Sequence, residues 1–169
     1  MTFTETQRFR QPIIWLILFI AGVIPVSIFA YGIYQQILLG NQFGNRPMSN
    51  ALLIFMFVIT FILFFSLCFL FGMIKLATII DEAGIRYKMF PIHLKYRNLT
   101  WDMIESFEVI KYNPIQDYGG WGIRFGKKGR AYNISGDKGL YLVLKTGKAL
   151  LIGTQKETEL KNFLGSLKK

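Results

Sequence analysis

Two uncharged apolar stretches decide the fold of this chain: IIWLILFIAGVIPVSIFAYGIYQQILL over residues 13–39 and ALLIFMFVITFILFFSLCFLFGMI over residues 51–74. At about 1.5 Å per helical residue, the second stretch spans roughly 36 Å, which exceeds a hydrocarbon core of about 30 Å. It is composed mostly of Leu, Ile, Phe and Val, so its transfer into a bilayer is favourable. We therefore predict two transmembrane helices, 13–39 and 51–74, joined by an external loop at 40–50.

Two other interpretations of these stretches fit less well. A cleaved signal peptide normally has an apolar region of about 7–15 residues, much shorter than the first stretch. The best cleavage position, after Ala30, also has the bulky Ile28 three positions before the cut, where a signal peptide normally has a small residue. A buried core helix is the alternative for the second stretch, but soluble core helices rarely stay apolar on all faces over this length.

The basic residues around the stretches predict the orientation of the hairpin. Arg8 and Arg10 precede the first stretch and Lys75 follows the second, whereas the connecting loop contains only Arg46. The positive-inside rule places both termini in the cytosol, with residues 1–12 as a cytosolic segment. The expected localisation is the inner (cytoplasmic) membrane of the cell, as a multi-pass protein.

The two stretches contain no Asp, Glu, Lys, Arg or His. Intramembrane ionisable groups mark ion and proton paths, so their absence argues against a transporter or channel formed by the hairpin alone. Small residues allow helices to pack closely, either within one hairpin or in an oligomer, and we favour the first. The small residues concerned are Gly22, Ser27, Ala30 and Ser66.

Residues 77–169 are long enough for one small cytosolic domain. From Lys75 onward there are 17 Lys and Arg against 9 Asp and Glu, a net charge of +8. For a domain tethered at a membrane, anionic lipid headgroups are the better acidic partner, so we predict no nucleic-acid partner. The single cysteine, Cys68, lies in the second stretch and excludes an intramolecular disulfide.

Short segments of alternating apolar and polar residues predict a β-rich domain. The alternation covers residues 85–89, 107–110 and 140–145, and turn sequences separate the segments. Thr146-Gly147 predicts a tight hairpin between residues 140–145 and 148–153. Residues 160–167 change to a helical period, and Thr154 with Glu157 predicts a capping box at the start of that helix.

This order of elements resembles a pleckstrin-homology-like (PH-like) domain, in which a C-terminal helix follows a set of strands. IIDEAGIRY over residues 79–87 is similar to the first hairpin of bacterial PH-like domains. TWDMIES over residues 100–106 resembles their turn into the third strand. The resemblance implies an all-β barrel of about six or seven antiparallel strands, closed by the C-terminal helix, behind an N-terminal two-helix hairpin. It implies no catalytic residues and no cofactor.

Residues 113–135 are the strongest candidate for a functional segment. They combine basic side chains with two aromatic ones among glycines, a pattern typical of a bilayer or partner contact; the alternative is a solvated hairpin tip. The candidate contact residues are Tyr118, Trp121, Arg124, Lys127, Lys128 and Arg130. His93, the only histidine, is expected to be a surface residue, and no catalytic or metal-binding set can be assembled from the sequence.

These observations predict a membrane-anchored binding or scaffolding module that is not an enzyme. Its expected partners are the bilayer, anionic headgroups or a membrane protein. The alternative from another class is a membrane enzyme, or an accessory subunit of one, that acts on lipid or envelope substrates.

Overall fold

The structure, a computed structural model, describes residues 1–167 and divides into two compact units. One unit is Arg10–Gly72, which contains both apolar stretches. The other combines Met1–Phe9 with the chain from Met73 onward. The N-terminal residues therefore belong to the same unit as the C-terminal half, although the sequence had indicated a separate N-terminal segment.

The first unit contains two long apolar helices. Helix α1 covers Pro12–Ile33 and continues through a π-helical turn at Tyr34–Leu38, and helix α2 covers Asn50–Met73. By length and composition, both are long and apolar enough to cross a membrane. The prediction of two such helices is confirmed.

Glycines allow α1 and α2 to approach closely within this unit. A Cβ atom on Gly22 would lie 1.9 Å from Cδ2 of Phe64, and one on Gly32 would lie 3.2 Å from Cδ1 of Leu53. Both glycines are buried, so Gly22 has the packing role expected of it. The other three small residues, Ser27, Ala30 and Ser66, are exposed.

The second unit begins with a four-stranded antiparallel sheet in the order β1-β2-β3-β4. The strands are β1 Phe3–Arg8, β2 Lys75–Asp81, β3 Gly84–Phe90 and β4 Arg97–Thr100. The N-terminal strand pairs with β2 along its whole length, and Arg8 lies opposite Lys75. Both connections to the apolar helices therefore leave from the same end of this sheet.

A second sheet has the order β5-β8-β9-β7-β6. Its elements are β5 Ile104–Lys111, β6 Gly122–Gly126, β7 Gly129–Asn133, β8 Lys138–Leu144 and β9 Ala149–Gly153, with short helix α3 at Pro114–Tyr118 and helix α4 at Glu157–Leu167. Strands β8 and β9 form the predicted hairpin, and Gly147 in its turn has φ +76°. Strands β7 and β9 run parallel to each other.

The prediction of a single closed barrel is wrong. The described residues form nine strands, not six or seven, and the two sheets do not close into a barrel. The ladder of the first sheet ends at the four-residue strand β4, and a 3₁₀ turn at Trp101–Met103 leads to β5, which pairs with β8 instead of β4. The sheets still face each other, since the rings of Tyr87 in β3 and Tyr132 in β7 have centroids 4.9 Å apart.

Strand β1 is bonded to the end of the second sheet through two buried polar side chains. The Glu5 carboxyl is only 5% exposed; it accepts from Thr154 Oγ1 at 2.6 Å and from the Gln155 N–H at 2.7 Å. Gln7 Nε2 donates to the Gly153 carbonyl at 2.6 Å. These bonds join the first residues of the chain to its last quarter.

The start of α4 also differs from the prediction. The helix begins at Glu157, and the Thr154 hydroxyl donates to Glu5 while accepting from the Lys156 N–H at 3.0 Å. Thr154 thus joins the helix entry to β1 and does not form the capping box that the sequence predicted. The amphipathic pattern itself is confirmed, because Leu160 and Leu164 are buried.

Candidate functional site: a basic cleft

A cleft of about 750 Å³ lies between the two sheets of the second unit. Strands β3 and β4 form one side, and the β6–β7 and β8–β9 turns form the other. Among the described residues, its lining has five cationic side chains and no carboxylate. The cations are Arg97, Lys127, Lys128, Arg130 and Lys148.

Two glycines fix the lysine-bearing turn between β6 and β7. Gly126 and Gly129 are paired across the turn, which leaves Lys127 and Lys128 at its tip. Gly129 has φ +100°, a left-handed conformation that glycine adopts without strain, and a Cβ there would lie 2.3 Å from the Ala149 carbonyl oxygen. The close backbone approach holds the two lysines beside β9.

The Arg130 side chain lies in the cleft and stacks on an aromatic ring. Its guanidinium lies 4.5 Å from the centroid of the Phe125 ring, and its Nη1 donates to the Tyr132 hydroxyl at 3.4 Å. The Phe125 side chain is 71% exposed, so the cleft has an accessible apolar edge next to its cations. A planar cation stacked on a ring keeps its outer N–H groups available for an anion.

The charge of the cleft is only slightly compensated. Lys128 Nζ lies 3.1 Å from Asp117 Oδ1, and the pKa of Asp117 is lowered by the hydrogen bond from the Asn113 N–H and by Lys128. Within the described part of the chain, Lys127 and Lys148 form no ion pair. The lining therefore has a clear excess of positive charge, which suits an anionic ligand.

Tyr87, which lines the cleft, is uncharged at neutral pH. Burial raises the pKa of Tyr87 to about 12, and repulsion from Tyr132 adds to the rise, whereas Arg97 and Arg130 oppose it. Arg97 hydrogen-bonds to the Tyr87 side chain. The tyrosine hydroxyl thus stays protonated and holds the Arg97 side chain at the cleft.

The predicted contact residues separate into two groups. Lys127, Lys128 and Arg130 lie together in the cleft. Arg124 lies outside it and donates through Nε to the Trp121 carbonyl at 2.9 Å. These two residues form a separate surface beside β6.

Tyr118 is a correction to the predicted contact surface. It is only 3% exposed, and its ring packs at 5.8 Å, edge-on, against Tyr112 in the core. The residue belongs to the cluster that fixes α3 on the second sheet, so its ring does not reach the surface.

Sequence reasoning missed two members of the cleft. Arg97 comes from β4 and Lys148 from the β8–β9 hairpin, far from the segment 113–135 in sequence. Only the pairing of strands brings them to the β6–β7 turn. The predicted hairpin at Thr146-Gly147 was the one signal that a second basic turn exists.

His93 is half-buried, although the sequence had indicated a surface position. Its ring centroid lies 5.5 Å from that of Tyr132, and its backbone N–H donates to the Met89 carbonyl at 2.7 Å. Burial lowers the pKa of His93, and the positive charges of Arg97 and Arg130 lower it further. His93 therefore acts as a neutral packing residue that holds its loop beside the cleft.

Residues 1–167 contain no group of three or more His, Cys, Asp or Glu side chains that could hold a metal ion. Comparison with models of known protein families and with curated proteins finds no match for the chain.

Proposed function

We propose that the protein is a membrane-anchored binding module whose basic cleft takes the anionic headgroups of lipids. In this proposal α1 and α2 span the cytoplasmic membrane as a hairpin, and the β-rich unit is a PH-like domain at the cytosolic face. The single observation that carries the proposal is the cleft with five cations in a unit that is covalently continuous with two apolar helices.

Strand pairing supports the proposed topology. Arg8 and Lys75 lie opposite each other, four residues before α1 begins at Pro12 and two residues after α2 ends at Met73. If α1 and α2 span the membrane as proposed, linkers this short keep both of these helix ends on the side of the bilayer that carries the β-rich unit. The basic residues at these ends make that side the cytosolic one by the positive-inside rule.

Charge complementarity supports anionic lipid as the ligand. Each Lys or Arg near an anionic surface contributes about 1 kcal/mol, so three cleft cations correspond to about 3 kcal/mol, or on the order of 100-fold in affinity. The stacked Arg130 and the unpaired lysines suit the tetrahedral oxygens of a phosphate group.

A titration of the full chain in neutral maltoside micelles tests this function. Short-chain phosphatidic acid is the ligand, and short-chain phosphatidylcholine is the neutral comparison. The triple variant Lys127→Glu, Lys128→Glu and Arg130→Glu should bind the acid at least about 100-fold more weakly than the wild type.

A matched control separates the cleft from overall charge. The variant Lys111→Glu, Arg124→Glu and Lys145→Glu makes the same charge change outside the cleft lining. It should keep most of the affinity. Equal weakening by the two triple variants, or equal binding of both lipids by the wild type, contradicts the proposal.

A further inference from the structure

The loop at residues 91–96, between β3 and β4, exposes two large apolar side chains. Ile92 is 62% exposed and Leu94 is 76% exposed, among the most exposed large apolar residues of its unit. The residue between them is held inward, since the His93 ring packs on Tyr132. The loop is therefore anchored by its centre and presents Ile92 and Leu94 outward.

Strand register places this loop at the end of the sheet from which the apolar helices leave. Lys75 is paired with Arg8 on one side and with Phe90 on the other, and the loop begins directly after Phe90. The opposite end of the sheet is the β2–β3 turn after Asp81, which follows Lys75 by six residues, or about 20 Å.

Charged residues are distributed unequally between the two ends of this sheet. Carboxylates gather at the far end, in or beside the β2–β3 turn and the 3₁₀ turn after β4: Asp81, Glu82, Asp102 and Glu105. Cations gather at the loop end: Arg8, Lys75, Lys88, Lys95 and Arg97. The far end of this sheet also contains Arg86, which forms an ion pair with Asp81. Exposed apolar side chains surrounded by basic residues are typical of segments that lie in a membrane interface.

One contact adds to this composition. Lys88 Nζ lies 4.4 Å from the centroid of the Tyr96 ring, so an aromatic residue and a cation flank the apolar tip. Tyrosine is enriched at the headgroup level because its ring is apolar and its hydroxyl is polar. Arg97, the first residue of β4, links the loop directly to the basic cleft.

We propose that Ile92 and Leu94 insert into the headgroup–acyl boundary of the same leaflet whose headgroups the cleft binds. The inference rests on the membrane anchorage that forms part of the proposed function. Insertion of the loop holds the mouth of the cleft against the lipid surface. The β-rich unit then has a fixed approach to the bilayer, independent of the length of its linkers to α1 and α2.

Fluorescence quenching in reconstituted liposomes tests the inference on the full chain. In a Cys68→Ser background, Leu94→Cys is labelled with an environment-sensitive dye, and the lipids carry a nitroxide high on the acyl chain. Emission from position 94 should shift to the blue and be quenched at least about twofold. The matched position Ala83→Cys, exposed in the β2–β3 turn, should be neither shifted nor quenched.

The native Cys68 reports separately on membrane anchorage, because it lies inside α2. If dye on Cys68 is quenched but dye at position 94 is not, the loop inference alone is overturned. Dye on Cys68 that is not quenched overturns the anchorage, and the loop inference with it. Equal quenching at positions 83 and 94 also contradicts the inference, because it removes the distinction between the two ends of the sheet.

Discussion

Replacing Glu5 by alanine should strongly destabilise the β-rich unit. The Glu5 carboxyl accepts hydrogen bonds of 2.6 and 2.7 Å from Thr154 Oγ1 and the Gln155 N–H. Hydrogen bonds to charged groups are worth about 1.5–3 kcal/mol each. Part of this gain is offset because the variant no longer buries a carboxylate, so we expect a net loss of about 3 kcal/mol in the free energy of unfolding.

Thermal unfolding of the full chain in maltoside micelles, followed by near-UV circular dichroism, measures this loss. For a domain of this size, 1 kcal/mol corresponds to about 4–8 °C in Tm, so Glu5→Ala should lower Tm by about 12–24 °C. Thr6→Ala is the matched control, since Thr6 is exposed on the opposite face of the same strand. A difference of less than about 3 °C in Tm between the two variants would show that β1 is not part of the folded unit.

Three further changes test other parts of the structure. Gly22→Leu forces a side chain into the Phe64 ring and should cost about 1–3 kcal/mol, seen as a lower midpoint of thermal unfolding by far-UV circular dichroism; an unchanged midpoint would exclude the close helix contact. The pKa of His93 is lowered from its usual 6.5, so the folded chain prefers the neutral ring. The contribution of this preference to the free energy of unfolding is complete above pH 6.5 and is lost as the pH falls below 6.5. In urea unfolding between about pH 6.5 and 5, His93→Gln should lose less stability than the wild type, and parallel losses would contradict this role. Gly129→Ala introduces a side chain where φ is positive and puts its Cβ atom 2.3 Å from the Ala149 carbonyl oxygen. In the same urea assay it should lower the free energy of unfolding by more than about 2 kcal/mol.

The sequence predicted those elements whose pattern is local. The two apolar helices, the β8–β9 hairpin and the amphipathic α4 each have a period or turn that is visible within a few residues. Strand β1 was missed because its partner, β2, follows it only after both apolar helices. The barrel was wrong because closure depends on pairing between distant strands, here β5 with β8 and β7 with β9.

The candidate site was predictable only where its residues are consecutive. Lys127, Lys128 and Arg130 were found because they share one turn with glycines. Arg97 is brought to the cleft by β4, a strand that had no alternating pattern to identify it. Tyr118 was misplaced because an aromatic residue next to glycines has the same local sequence whether it faces the core or the solvent.

We propose that the two apolar helices form a membrane hairpin that presents the basic unit on the cytosolic side. Cysteine labelling in bacterial spheroplasts with a membrane-impermeant maleimide tests it most directly, using Asn45→Cys in the loop between the helices and Glu82→Cys in the β2–β3 turn, each in a Cys68→Ser background. We expect position 45 to be labelled in intact spheroplasts and position 82 only after lysis. Labelling of both positions before lysis, or of position 82 alone, would contradict it.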